Sequence, residues 1–446
     1  MPVGRSWAER PSGGSLAGTC LGTHADRPSE IGSALRLAAH RFGSPVAVTD
    51  VAELILAAGA LTAAFPDPWL RAFSVKANDV SAIVGLLGRL GLGANVVSRG
   101  EWAIATRAGI PNDRVTLEGV GKTDADLRAA IRAARSGDPP RWLAIESADE
   151  AHALARIADA AIGDGRLDVL FRLNPGVVPD THVNLAVGSA GSKFGMTADE
   201  VTAAVAIVAA GRGLRPRGIH LHVGSQLRSV DAWRDGVRRG LALLALIRGS
   251  RSDFDTLDVG GGFPILPLDE PAPDLERFAR EVAPLLENLP PDRRPSRLAI
   301  EPGRALVGRA GYLVARVLHV RERGGRQVVL DAGMTELIRP ALYGARHEIV
   351  ALTSLGLPCS TNGAVATAGP SPTRVDGPIC ESTDHLGDHE LPELQRGDLV
   401  AIRDAGAYAA SLSSTYNGRP RPPQVLLEPD GRLVLARRRG SVATLG

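Results

Sequence analysis

The sequence predicts a (β/α)8 barrel followed by a mostly β domain. Three observations predict it. Eight short apolar runs alternate with amphipathic, Ala/Leu-rich stretches through the first two-thirds of the chain. Eight strand–helix units over roughly 230 residues is the arithmetic of such a barrel. From about Tyr312 the pattern turns to short strands separated by Gly, Pro and Asp. A doubly wound open sheet is the alternative, because periodicity alone does not distinguish a closed sheet from an open one.

In chain order, residues 1–27 are polar and charged and are expected to be poorly ordered. Residues 28–50 form a segment joining the β domain, with Ala47–Thr49 a candidate strand crossing over to it. The barrel is assigned to 51–305 and the β domain to 306–446. The eight runs are Phe73–Val75, Ala94–Val97, Val115–Leu117, Leu143–Ile145, Val169–Leu173, Ile219–Val223, Leu257–Val259 and Leu298–Ile300. Helical patterns fill the gaps, for example Val80–Leu90, Asp124–Ala134, Ala198–Ala210 and Ala232–Ile247. The later strands are Tyr312–His319, Arg326–Leu330, His347–Leu352, Leu399–Ile402, Gln424–Leu427 and Leu433–Ala436. Ser354 to Arg374, rich in Ser, Thr, Gly, Pro and Ala, is expected to be a surface loop.

Composition narrows the class. The chain has 446 residues, 44% of them hydrophobic, which suffices for a large core in two domains or three. A net charge of +2 gives no bulk attraction to nucleic acid or to an anionic membrane surface. Cys20, Cys359 and Cys380 are an odd number without CxxC spacing. That argues against a disulfide framework and a zinc site, and for a reducing, cytoplasmic setting; no metal is expected. The N-terminal stretch lacks the apolar segment of a secretory signal, and no run is long enough to span a membrane.

The candidate chemistry gathers where the apolar runs end, the place from which barrel enzymes draw catalytic groups. Lys76 leaves the first run, in Phe73-Ser-Val-Lys-Ala-Asn78. Desolvation there frees its amine to attack carbonyl compounds, pyridoxal phosphate included. Arg172 and Asn174 close the fifth run, and His220, His222, Gly224 and Ser225 the sixth. On a strand, His220 and His222 share a face, and His222 sits nearer the end that could meet an aromatic ring. Gly260-Gly-Gly262 and Glu301-Pro-Gly-Arg304 follow the last two runs. The glycines suit either a tight turn or a phosphate cradle, with Arg304 as its cation. Glu301 suits either a salt bridge or a pyridine nitrogen, which a carboxylate keeps protonated. Three clusters in the β domain mix charge with apolar residues: Ile338–Tyr343, Cys380–Asp384 and Asp404–Tyr408.

The motifs FSVKAN, RLNPGV, SKFGM, HLHVGSQ, GGGF, EPGR, DAGMTELIRPALYG, GPICES, DAGAY and SSTYNGRPRP stand in that order from about Arg41 to about Leu427. In them the chain resembles the fold-type III pyridoxal-phosphate decarboxylases, and within these the diaminopimelate decarboxylases. The resemblance implies a barrel joined to a β domain, and pyridoxal 5'-phosphate as cofactor. It implies that Lys76 carries the cofactor covalently and that His222 stacks on its ring. Ser225, Gly261 and Arg304 hold its phosphate region, Glu301 meets the ring nitrogen, and Tyr408 contacts cofactor and substrate. Arg304, Arg339, Tyr343 and Glu381 become substrate ligands and Cys380 the proton donor. It further implies a homodimer in which Cys380 and Glu381 enter the partner's site.

Three positions depart from the family pattern. Asn95 stands where Asp is frequent, so it cannot supply a negative charge. The strand near Ala47–Thr49 lacks the usual tyrosines, and Arg346 replaces a common aromatic. The expected activity is decarboxylation of an amino acid, with meso-diaminopimelate to L-lysine first. Its second carboxylate suits Arg339 and its second amine suits Glu381. The alternatives are a paralogous decarboxylase acting on another diamino acid, ornithine or a carrier-tethered amino acid, and an inactive relative serving as a binding protein.

Overall fold

The computed structural model describes residues 27–189, 191–266, 270–352 and 370–444. The expected disorder of the first residues and most of the expected 354–374 loop fall outside them. After a helix, Arg27–Phe42, comes β1 (Val46–Asp50). The next eight strands are β2 (Trp69–Ser74), β3 (Gly93–Val96), β4 (Val115–Leu117), β5 (Trp142–Ile145), β6 (Leu167–Leu173), β7 (Leu214–Leu221), β8 (Thr256–Asp258) and β9 (Arg297–Ile300). They pair in parallel in sequence order, and β9 returns to β2, so the sheet is a closed barrel. The open-sheet alternative is thereby excluded.

Period-two alternation sorts each strand into two faces. Phe73, Val96, Leu117, Ile145, Phe171, Ile219, Leu257 and Ile300 face outward and join one apolar core with the surrounding helices. The inward set begins with an apolar layer of Leu70, Trp142, Ala144, Leu170 and Ala299. Two residues further along these strands the same face carries Glu146, Arg172 and Glu301, all buried. The inward face therefore changes from apolar to ionisable toward the C-terminal ends of the strands.

Local capping fixes where each strand hands over to its helix. Ser98 and Ser147 accept the N–H groups of Glu101 and Glu150, and those carboxylates reach back to the N–H groups of Val97 and Glu146. Thr123 with Asp126 and Thr197 with Glu200 form complete capping boxes. Among the described residues, no helix is long and apolar enough to cross a membrane.

The second domain contains β10 (Gly311–Glu322), β11 (Arg326–Leu330), β12 (Ile349–Leu352), β13 (Ser371–Asp376), β14 (His385–Leu391), β15 (Leu399–Ile402), β16 (Gln424–Leu427) and β17 (Leu433–Arg437). The path runs β14-β13-β11-β10-β1-β16-β17, with β15 pairing both β10 and β12. β1 lies in this sheet, antiparallel to β10 and parallel to β16, although it precedes the barrel. Two strands correct the sequence reading. Ser371–Asp376, partly assigned to the loop, pairs with β11, and His385–Leu391 pairs with β13. β14 lies at the end of the sheet path and its burial alternates, so polar residues can occupy it.

The segment 404–411 of the β domain closes over the barrel. The Tyr408 N–H donates to Ala77 O at 2.7 Å, Ser411 Oγ to Lys76 O at 2.8 Å, and Asn78 Nδ2 to Gly406 O at 2.9 Å. The fit leaves no room for a side chain at Gly406, where a Cβ would lie 1.7 Å from Val307 O.

Candidate active site

Lys76 sits in a single 3-10 turn, Val75–Ala77, directly after β2. The sequence contains three lysines. Lys122 pairs with Glu150 at 3.0 Å and Lys193 lies over the Phe194 ring at 5.3 Å, whereas Lys76 makes no ion pair among the described residues. Lys76 is half-buried and its backbone is held by the 404–411 segment. Its backbone is therefore fixed while its amine has no ion-pair partner among the described residues.

Across the barrel mouth, Gly261 N–H donates to His222 Nδ1 at 3.2 Å. This leaves the ring proton of a neutral imidazole on Nε2. Burial, with Lys76 and Arg172 adding to it, holds His222 well below the ordinary histidine range, so it is neutral. Gly260 N–H is likewise engaged, by Asp258 Oδ1 at 2.9 Å. Two of the three N–H groups expected to cradle a phosphate are thus already used by the protein. What the glycines supply is close approach: a Cβ on Gly261 would meet Glu301 O at 2.4 Å.

Arg304 opens a short helix after Glu301-Pro-Gly and is buried. Its Nη2 donates to Ser225 Oγ at 3.2 Å, and its guanidinium lies over the Tyr408 ring at 4.6 Å. Nε and Nη1 of Arg304 are buried without a partner among the described residues. Tyr408 itself holds a left-handed backbone, φ 56°. Arg339 is also buried, and its Nη1 donates to His347 Nε2 at 2.9 Å while its Nε has no partner among the described residues. Burial first, and the Arg304 charge second, push Arg339 down to about 9, so it remains a cation at neutral pH. With Tyr343, Arg339 lines a cavity of ≈ 180 Å³.

Two buried guanidinium groups with unmet donors are costly unless an anion completes them. That donor set fits a bound phosphate and a substrate carboxylate, beside an amine that is free to react. Glu301 is buried between His220 and Asn95, a carboxyl group that suits a protonated ring nitrogen. Asn95 Nδ2 donates to Glu301 Oε1 at 3.1 Å, so the amide that replaces the frequent Asp orients Glu301 directly.

Lys76, His222, Ser225, Gly261, Glu301, Arg304 and Tyr408 thus form one connected cluster, with Arg339 and Tyr343 beside it. Cys380 and Glu381 do not join it within this chain. Cys380 is exposed, and Glu381 borders a separate surface depression, accepting from Tyr416 OH at 2.7 Å. The sequence reading missed Glu118, Glu146 and His347. Glu118 and Glu146 each stand one residue beyond a barrel strand, as Glu301 does, and that shared offset is the signal that would have found them.

The chain is similar to known proteins over most of its length. Residues 52–308 match the family described as pyridoxal-dependent decarboxylase, pyridoxal binding domain. Diaminopimelate decarboxylase of Aquifex aeolicus is 36% identical over 414 residues, covering 92% of each chain. That of Actinosynnema pretiosum is 38% identical over 410 residues, covering 90% of this chain and 87% of its own. Among solved structures, diaminopimelate decarboxylase from Helicobacter pylori, complexed with L-lysine, superposes with a TM-score of 0.82 at 29% identity, covering 92% of this chain and 98% of that one.

His347 gives a pH-dependent expectation. Burial, with Arg339 beside it, pushes its imidazole down to about 4 from the ordinary 6.5. Protonation therefore favours the unfolded chain, so stability is held above about pH 6.5 and lost as pH falls toward 4. His220, also pushed down to about 4, acts in the same direction. His347→Gln keeps an acceptor for Arg339 but cannot gain a proton. Denaturant midpoints of the apo protein at pH 7 and pH 5 should differ less in the variant than in the wild type; equal differences would contradict the assignment.

Proposed function

The chain belongs to the pyridoxal-dependent decarboxylases, and from that premise we propose that it decarboxylates meso-diaminopimelate to L-lysine with pyridoxal 5'-phosphate. The observation that carries the reading is the pair of buried, incompletely satisfied guanidinium groups, Arg304 and Arg339, beside the uncommitted Lys76. The similarity to diaminopimelate decarboxylases over about nine-tenths of the chain supports the substrate.

Lys76 Nζ holds the cofactor's aldehyde carbon. Arg304 and Ser225 would hold its phosphate, Gly261, its N–H already engaged by His222, would allow the close approach, His222 would flank its ring, and Glu301 would face the ring nitrogen and keep a proton on it. When bound, the cofactor supplies an electron-withdrawing ring that stores the electron pair left when the α-carboxylate departs as carbon dioxide. Arg339 and Tyr343 bind the distal carboxylate, a second role falls to Arg304 on the substrate side, and Tyr408 borders both molecules. The 404–411 segment covers the reacting amine and limits the access of water.

Cys380 Sγ delivers the proton that replaces the carboxylate, and Glu381 holds the distal amine. Both act in the partner's site of a homodimer. The exposed position of Cys380 and Glu381, away from the cluster around Lys76, supports a role completed by a second copy. A cytoplasmic location accords with the biosynthetic reaction.

Purified protein supplied with pyridoxal phosphate and meso-diaminopimelate should release lysine; no lysine release, with turnover of ornithine instead, would overturn the substrate. A charge-assisted bidentate pair contributes roughly 1.5–3 kcal/mol. Arg339→Ala should therefore lower kcat/KM for meso-diaminopimelate by about ten- to a hundredfold, with far less effect on any residual turnover of a substrate without the distal carboxylate. Equal losses would leave Arg339 a structural role.

The shared site predicts complementation. Lys76→Ala and Cys380→Ala proteins should each be nearly inactive alone. Mixed in equal amounts under conditions that exchange subunits, half the dimers are mixed and each has one intact site, so about a quarter of wild-type activity should return. No recovery despite demonstrated exchange would place Cys380 in its own subunit's site or outside the reaction.

A further inference from the structure

Beneath the mouth of the barrel lies a second carboxyl group that the reaction as described does not use. Glu118 stands one residue past β4 and is buried. Its Oε2 lies 3.2 Å from His220 Nε2, and Glu301 Oε1 lies 3.2 Å from the same nitrogen. The three ligand-type atoms of Glu118, His220 and Glu301 fall within 4.8 Å of one another. Glu118 Oε1 accepts from Trp142 Nε1 at 3.2 Å, so Oε2 is the oxygen left to interact with its neighbours.

We propose that Glu118 is a positioning residue for Glu301: from β4 it supplies the acid that Asn95 does not supply from β3, and its carboxyl O–H donates the hydrogen bond that fixes Glu301 against the cofactor's ring nitrogen. The inference rests on the assignment of Glu301 to that nitrogen.

The register makes the relocation direct. β3 and β4 pair in parallel with Asn95 opposite Thr116, and Asn95 Nδ2 bonds both Thr116 Oγ1 and Glu301 Oε1 at 3.1 Å. Two residues on from Thr116, the same face of the barrel presents Glu118. An acid lost from one strand is thus recovered on the next, beside the same Glu301.

Charge balance favours a neutral Glu118. The ionisable groups facing it are Glu301 on β9, His220 on β7 and Asp258 on β8; Lys76 and the Arg172–Glu146 pair stand behind His220. His220 is neutral, so it cannot offset two carboxylates. Burial first, and the Glu301 charge second, push Glu118 up to about 8. Below that pH its proton is available to Glu301. Above it, a second negative charge appears beside Glu301, and the repulsion pushes the two carboxyl groups apart. That movement weakens the hold of Glu301 on the ring nitrogen.

The test titrates pyridoxal phosphate into the apo forms of wild type, Glu118→Gln, Glu118→Leu and Glu118→Leu/Asn95→Asp from pH 6.5 to 9.5. The dissociation constant is read by fluorescence and the thermal midpoint is recorded for each. Wild-type affinity should fall about tenfold as pH rises through about 8. Glu118→Gln keeps a neutral donor at every pH and should bind tightly without that step. Glu118→Leu has no donor and should bind about tenfold more weakly throughout, the loss expected for one hydrogen bond to a charged group. Adding Asn95→Asp to it should restore binding to within about threefold. Glu118→Gln keeping the wild-type step, or Glu118→Leu lowering only the thermal midpoint, would overturn the inference; failure of Asn95→Asp to restore binding would overturn the relocation. If the wild type binds no pyridoxal phosphate at any pH, the functional reading fails and this inference fails with it.

Discussion

The constraint on which the site depends is charge balance inside a closed eight-stranded barrel. Such a barrel is filled by side chains, so an inward-facing charge must find its partner within its own layer. Here the layer at the C-terminal end contains Glu118, Glu146, Asp258, Glu301, Arg172 and His220, all buried. Arg172 is neutralised by Glu146 at 2.7 Å. His220 is uncharged, Asp258 is raised well above the ordinary carboxyl range by burial and by the Glu301 charge, and Glu118 is raised for the same reasons. Glu301 stands among them, with Asn95 Nδ2 at 3.1 Å from its Oε1 and His220 Nε2 at 3.2 Å. The apolar layer beneath it, from Leu70 to Ala299, keeps its carboxyl group in a medium where a correctly placed partner matters more than in water.

The second constraint is mechanical. Lys76 belongs to the barrel, but the backbone around it is held by the β domain through Tyr408, Ser411 and Gly406. The same segment brings the Tyr408 ring over Arg304, which in turn reaches Ser225. β1 adds a second tie, since it precedes the barrel in sequence yet pairs with β10 and β16. The two domains therefore build the cluster around Lys76 together.

Much of this was legible in the sequence. The eight apolar runs correspond to the eight barrel strands because parallel strands buried on both faces keep continuous hydrophobic stretches. Lys76, His222, Glu301 and Arg304 could be singled out because they stand where those runs end. Glu118 and Glu146 have the same offset but were overlooked, since an isolated acid at a strand end reads as a solvated residue until the barrel closes around it. β14 was missed because His385-Leu-Gly-Asp-His-Glu-Leu391 has too few apolar residues to show a strand period. The engagement of Gly260 and Gly261 N–H groups by Asp258 and His222 was not readable either, since it depends on side chains of two different strands. His347 likewise takes its meaning only from Arg339, eight residues away and across a turn.

The central claim is that Lys76 alone carries the cofactor. Incubating the protein with pyridoxal phosphate, reducing with borohydride and mapping the labelled peptide by mass spectrometry tests it most directly. The account predicts a single adduct on Lys76, and none in Lys76→Ala. A stable adduct on Lys122 or Lys193, or an adduct that persists in Lys76→Ala, would contradict it.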